Sequence, residues 1–225
     1  MGRAENIRRE IDTLIGFLIE AGLADDQNFA IRRDAPDGGV EITIPNAEYV
    51  SVALRERPYR EIYDVLRQER VFNARLADGA MVQMMYVFRG DSIERHRLAY
   101  FPSPYLQQFE DQPEIYLQDE IFADVVSKAV VPFPVRFDCD MRGGVPSAFH
   151  HPKSHLSLGQ YKNCRIPVSA PLTPFWFISF VLRSFYHTAY LRYAEKMPLC
   201  SESFDECIEG DERSTLHVQV PLLSR

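Results

Sequence analysis

Long hydrophobic stretches are missing from this sequence of 225 residues. The longest, Phe175 to Leu182, is too short to cross a bilayer and runs into Arg183 and His187. The opening MGRAENIRREI has neither the apolar segment nor the small-residue cleavage site of a secretory signal. The Ser or Thr of a myristoylation signal is also missing after Gly2. No membrane association is expected. The four cysteines (Cys139, Cys164, Cys200, Cys207) form no CxxC pair. Free thiols in a reducing cytoplasm are therefore the expectation. Basic charge is in deficit: 25 Lys and Arg stand against 32 Asp and Glu, a formal net charge of −7. Indiscriminate binding to nucleic acid needs a basic surface that releases counterions, so that class is disfavoured. A small basic cleft in an acidic body is still compatible with these numbers. There is no P-loop, no GxGxxG fingerprint and no GxSxG elbow. Neither an internal repeat nor a low-complexity linker divides the chain, so residues 1–225 read as one domain.

What is present suffices for a core. Apolar residues make up 46% of the chain. Glu5 to Leu23 places Ile7, Ile11, Leu14, Ile15, Leu18 and Leu23 on one helical stripe. A turn at Asp34–Gly39 leads into a short strand at Val40–Ile44, and Pro58 opens a helix over Tyr59–Arg70. Residues 1–70 thus read as a mainly helical N-terminal layer. The clearest signal follows. Asp78-Gly79 separates Val71–Leu76 from Ala80–Phe88, and a second turn at Arg89–Ser92 leads into Ile93–Phe101. Asp-Gly between β-forming runs is a hairpin turn, so the stretch reads as a three-stranded antiparallel meander. Its third strand alternates Arg95, Arg97 and Ala99 against His96, Leu98 and Tyr100. A short helix is expected over Ile121–Ala129. Val135–Asp140 alternates again, with Arg136, Asp138 and Asp140 on the polar face. Thr173-Pro174 is a capped helix start, and the helix it opens, Phe175 to about Lys196, is apolar nearly all round. Leu216, Val218 and Val220 alternate in a final strand. The predicted fold class is α+β. An antiparallel sheet, the meander plus further strands near Val135, His155 and Cys164, packs against a long buried C-terminal helix, with the helical layer beside it.

Candidate chemistry centres on Phe149–Pro174, which holds three of the six histidines: His150, His151 and His155. Imidazoles suit proton transfer near neutral pH. His151 and His155 are four apart, but Pro152 stands where HExxH needs Glu, which excludes that zinc motif. The spacing matches no other specific ligand set; His150, His151, His155, Asp138 and Asp140 could supply ligands to a metal-dependent hydrolase, but the favoured expectation is no metal and no cofactor. A strand through His155 would place His155 and Ser157 on one face and bury Leu156 and Leu158. Histidines beside Arg, Lys and Tyr are what metal-independent phosphodiester cleavage requires. One group takes the 2′-hydroxyl proton, another protonates the leaving oxygen, and cations hold the phosphate. The expected acid–base residues are His151, His155 and His150, with Asp138 orienting a histidine. Arg136, Lys162, Arg165, Arg97 and Tyr161 would bind phosphate or substrate. A plainer account fits the same residues: histidines beside a proline make loop hydrogen bonds, and Arg136 and Asp138 pair across a sheet. Arg183 and His187, four apart, read as a satisfied polar spot that could close the back of a site.

The segments DGAMVQMMYVF, HRLAYFPSPYL, EIYLQDEIFADVV, VPFPVRFDCD and HPKSHLSLGQYKNCRIPVSAPLTP resemble a bacterial family known only as a domain of unknown function. The likeness runs over essentially the whole chain and implies kinship without an activity. A shorter stretch is similar to small toxins of bacterial toxin–antitoxin pairs, in which an Arg-Tyr-Asp strand precedes His-His-Pro and a further histidine. Arg136, Asp138, His150, His151, Pro152 and His155 take comparable places. Here Phe137 replaces the aromatic hydroxyl, the strand-to-histidine spacing differs, and a long N-terminal part is added. The resemblance implies a cytoplasmic protein of a toxin or antiviral defence system acting on RNA or single-stranded nucleic acid, as a histidine-based ribonuclease. The alternative is a non-catalytic module that docks on a partner protein encoded in the same operon, or on a nuclease complex.

Overall fold

A computed structural model describes residues 2–35, 37–54, 56–105, 132–142, 151–161, 163–199 and 202–221. The helix expected at Ile121–Ala129 lies outside them. The N-terminal stripe forms α1, Arg3–Glu20, and buries Ile7, Ile11, Leu14, Ile15 and Leu18. The first seventy residues then give three strands, β1 (Ala24–Gln27), β2 (Ile31–Asp34) and β3 (Val40–Thr43), of which the alternation had marked only the third. A 3₁₀ turn at Ala47–Leu54 leads to α2, Tyr59–Gln68, with Pro58 at its cap. Pro there needs no N–H, and its fixed φ suits the first turn.

The meander is β4 (Ala74–Leu76), β5 (Met81–Arg89) and β6 (Ser92–Phe101). Gly79 takes φ +89° in the Asp-Gly turn, which a side chain would resist. β7 (Val135–Asp140), β8 (Ser154–Leu158) and β9 (Ile166–Pro167) extend it. The strand order is β1-β4-β5-β6-β7-β8-β9, all antiparallel, with β3 joining β5 beyond β4 and β2 outside β3. Cys164 precedes β9 instead of lying in it. The final strand is reduced to one parallel bridge, Val168 to Val218, with Leu216 exposed.

Period-two alternation sorts the sheet's side chains onto two faces. One face (Val82, Met84, Leu98, Val135, Phe137, Leu156) meets α1 and α3, Pro174–Phe185, in the main core. Burying a side chain such as Phe137 contributes roughly 1.5–3 kcal/mol. The other face holds a smaller core, where Met81, Ala99 and Phe101 meet Ile62, Tyr63 and Leu66 of α2. β5 is covered on both sides, as its two apolar faces predict. No described helix is long and apolar enough to cross a membrane.

The helix expected from Phe175 to Lys196 is two helices. α3 starts as predicted: Thr173 Oγ1 accepts from the Trp176 N–H at 3.4 Å, and Pro174 follows the cap. Glu10 of α1 accepts from the Phe175 N–H at 2.8 Å, a second cap from a distant element. The chain breaks at Tyr186 (φ −131°, ψ 56°) before α4, His187–Tyr193. α3 buries Phe177, Ile178, Val181 and Leu182, while Arg183 and Ser184 are exposed. It is therefore buried along one side only. A last short helix, α5, spans Gly210–Arg213.

Candidate functional site

The second sheet face changes character away from α2. Pairing places Met85, Arg97, Asp138, His155 and Pro167 in one row across β5 to β9. The next row is Gln83, Ala99, Arg136 and Ser157. Three of the predicted site residues, Arg97, Asp138 and His155, are thus cross-strand neighbours, and Arg136 stands two residues from Asp138 on the same face of β7, all on a half-buried surface. Each strand placed them there by the same alternation that buried Leu98, Phe137 and Leu156 on the opposite face.

The guanidiniums are the unusual part. Arg97 Nε and Nη2 and Arg136 Nε are buried and have no hydrogen-bond partner among the described residues. Arg136 Nε stands 4.0 Å from Asp138 Oδ2, beyond hydrogen-bonding distance. Burial lowers the pKa of Arg97 to about 10; Asp138 opposes that shift and Arg136 adds to it. Arg97 still carries its charge at neutral pH. Leaving a buried donor unmet costs about 1–3 kcal/mol, so these residues act against the stability of the unliganded fold.

His155 faces this cluster in a defined state. Its Nδ1 lies 3.2 Å from the Pro152 carbonyl oxygen, which can only accept, so Nδ1 carries a proton and in the neutral ring Nε2 keeps its lone pair. The hydrogen bond that orients His155 therefore comes from Pro152. Asp138 acts on the ring through its charge, not as the orienting partner expected from sequence. Burial pushes the His155 pKa down, opposed by Asp138, with the Arg165 and Arg136 charges lowering it further. The lowered pKa favours the neutral imidazole, the form a general base must start from.

The remaining predicted residues lie at the rim or outside the description. His151 is exposed, and Arg165 Nη1 is 2.8 Å from both of its ring nitrogens. Tyr161, in the turn after β8, is 80% exposed. His150 and Lys162 lie outside the described residues. Among the described residues no three His, Cys, Asp or Glu side chains gather as a metal site would require. Arg183 and His187 are exposed on α3 and α4, which serve the opposite face of the sheet. They do not close the back of this site. Cys139 is buried on that opposite face, where burial pushes its thiol pKa up. Cys164 Sγ accepts from the Leu158 N–H at 3.4 Å.

Sequence reasoning passed over two features of the rim. Gln160 Nε2 donates to the Arg57 carbonyl at 2.9 Å, tying the turn after β8 to the start of α2. Phe133, just before β7, is 42% exposed. Neither lies on a periodic pattern, and the only local signal was an aromatic beside a turn.

No curated protein and no solved structure matches the chain. A family model does match, over residues 23–220, the span that contains the whole sheet and the arginine–histidine face. The chain therefore belongs to DUF2290, a family of uncharacterised conserved proteins.

Proposed function

We propose that this protein binds nucleic acid through the second sheet face and cleaves RNA there without a metal, as a conflict-system toxin or defence factor would. One observation carries the reading: guanidinium donors of Arg97 and Arg136, buried and unpartnered among the described residues, share a sheet face with His155, whose Nδ1 is held by the Pro152 carbonyl. An oxyanion with several acceptor oxygens meets those donors, and phosphate is the common biological example. His155 Nε2 takes the 2′-hydroxyl proton, and Arg97 and Arg136 stabilise the charge that develops on the phosphate. His151 at the rim is the candidate acid: in its protonated form, released from Arg165, it gives that proton to the leaving oxygen, while His155 keeps the proton of the 2′-hydroxyl. The test is cleavage of a mixed RNA and single-stranded DNA pool, with and without EDTA, beside His155→Ala. EDTA-resistant RNA cleavage lost in the variant supports the reading; undiminished cleavage in His155→Ala overturns it.

A second reading has its own motive. Of the described histidines, His155 alone lies within the arginine cluster, and His151 is engaged by Arg165. A site with cations and one base binds a strand without turning it over, as an accessory module would. Strand binding by a folded protein that cleaves nothing favours it.

A further inference from the structure

We infer that Tyr161, with Phe133, forms a stacking platform for a nucleobase whose phosphate lies on Arg136 and Arg97, so that the ligand is a single strand with splayed bases. This rests on the phosphate-binding reading above. Among the described residues both are exposed aromatics beside the site, Tyr161 at 80% and Phe133 at 42%. Both flank Gly159: a Cβ there would lie 3.4 Å from the Tyr161 ring and 3.8 Å from the Phe133 Cβ. Gly159 follows Ser157, the partner of Arg136, by two residues, about 7 Å of strand. An aromatic surface and a cation cluster thus sit at neighbouring places on one end of β7 and β8.

The platform is held in place before any ligand arrives. Gly159 N–H donates to the Pro134 carbonyl at 2.7 Å, locking the two segments together. Gln160 ties the same turn to Arg57. Gly159 has φ +64°, where a side chain would be strained, so the tight turn and the ring's close approach depend on glycine. An exposed tyrosine on a fixed turn gains nothing from folding, since its ring stays in water. Stacking with a base would cover it, and any base offers a π-face. In a duplex the bases are already stacked and paired, so only an unpaired nucleotide can reach such a ring. The overall charge of −7 agrees with local recognition in place of a broad duplex-binding surface.

The experiment is fluorescence anisotropy with a labelled 2′-O-methyl oligouridine octamer, which blocks attack by the 2′-oxygen and separates binding from cleavage. The proteins are the full chain and its Tyr161→Ala, Tyr161→Phe, Phe133→Ala and Arg97→Leu variants, each checked by thermal melting. The expected result is binding about 10-fold weaker in Tyr161→Ala, preserved in Tyr161→Phe, and weaker for a blunt duplex of equal length. Binding that is lost in Arg97→Leu but unchanged in Tyr161→Ala overturns the platform and leaves the phosphate site standing. No binding of either strand or duplex by the folded wild-type chain overturns both readings.

Discussion

The Tyr186 hydroxyl donates to the buried carboxylate of Asp78 at 2.8 Å, joining the break between α3 and α4 to the turn between β4 and β5. Tyr100 Oη lies 3.0 Å from Tyr186 Oη, and the Ala80 N–H donates to the other Asp78 oxygen. Burial raises the pKa of this carboxyl, and the bonds from Ala80 and Tyr186 oppose the rise. Tyr186→Phe strips one donor from a buried acceptor. The expected cost is about 2 kcal/mol, read by urea denaturation. A change within a few tenths of a kcal/mol would show that the bond is not what holds the break.

Arg97 makes an opposite prediction. Its Nε and Nη2 have no hydrogen-bond partner among the described residues, so Arg97→Leu removes two unmet buried donors and keeps part of the aliphatic stem. The melting temperature is expected to hold or rise while phosphate-dependent binding falls at least about 10-fold. A clear loss of stability would mean that the guanidinium serves the fold and not a ligand.

His96 links stability to pH. It is buried on the main-core face, and its Nε2 accepts from the Leu172 N–H at 3.1 Å, which requires an unprotonated nitrogen. Burial lowers its pKa to about 4, with Asp138 opposing. The unfolded chain, with an ordinary histidine pKa of about 6.5, binds the proton more readily in acid. The stability contribution is therefore complete above about pH 6.5 and declines as pH falls towards 4, by about 3 kcal/mol in all. Denaturation at successive pH values should show that slope, and His96→Gln should flatten it.

His155 provides a test that does not need turnover. Burial lowers its pKa while Asp138 holds it up. Asp138→Asn should therefore move the His155 titration to lower pH, followed by NMR of the imidazole. The acid limb of any cleavage profile should move the same way, because the base must be neutral to work. A titration that moves upward, or not at all, would remove Asp138 from the electrostatics of the site.

The strands of the site were readable because their signal is local. Val135–Asp140 alternates strictly and the sequence alternates again from His155 to Leu158, and a period of two assigns each side chain to a face without reference to any partner. Arg136 and Asp138 could thus be placed opposite Phe137, and His155 with Ser157. The row Arg97, Asp138, His155 could not be read this way. It depends on which strands are neighbours and in what register, and those pairings are non-local. The Pro152 carbonyl on His155 escaped notice for a related reason, since the hydrogen bond needs the bend before β8 and not the strand itself.

Composition, turn residues and periodicity by themselves determined the α+β class, the Asp-Gly meander, the capped start of α3 and the two faces of β6, β7 and β8. Tertiary structure alone decided the rest. The run after Phe185 contains no Pro or Gly until Pro198, so nothing local ends the helix there. The break falls at Tyr186, whose hydroxyl reaches Asp78, a contact between distant segments. β1 and β2 are four residues each and polar, too short for alternation to outweigh chance, and exist because the sheet offers them an edge. Local patterns are set by the geometry of a few bonds. Pairing, helix breaks and unmet charges are set by which distant groups compete for the same buried space.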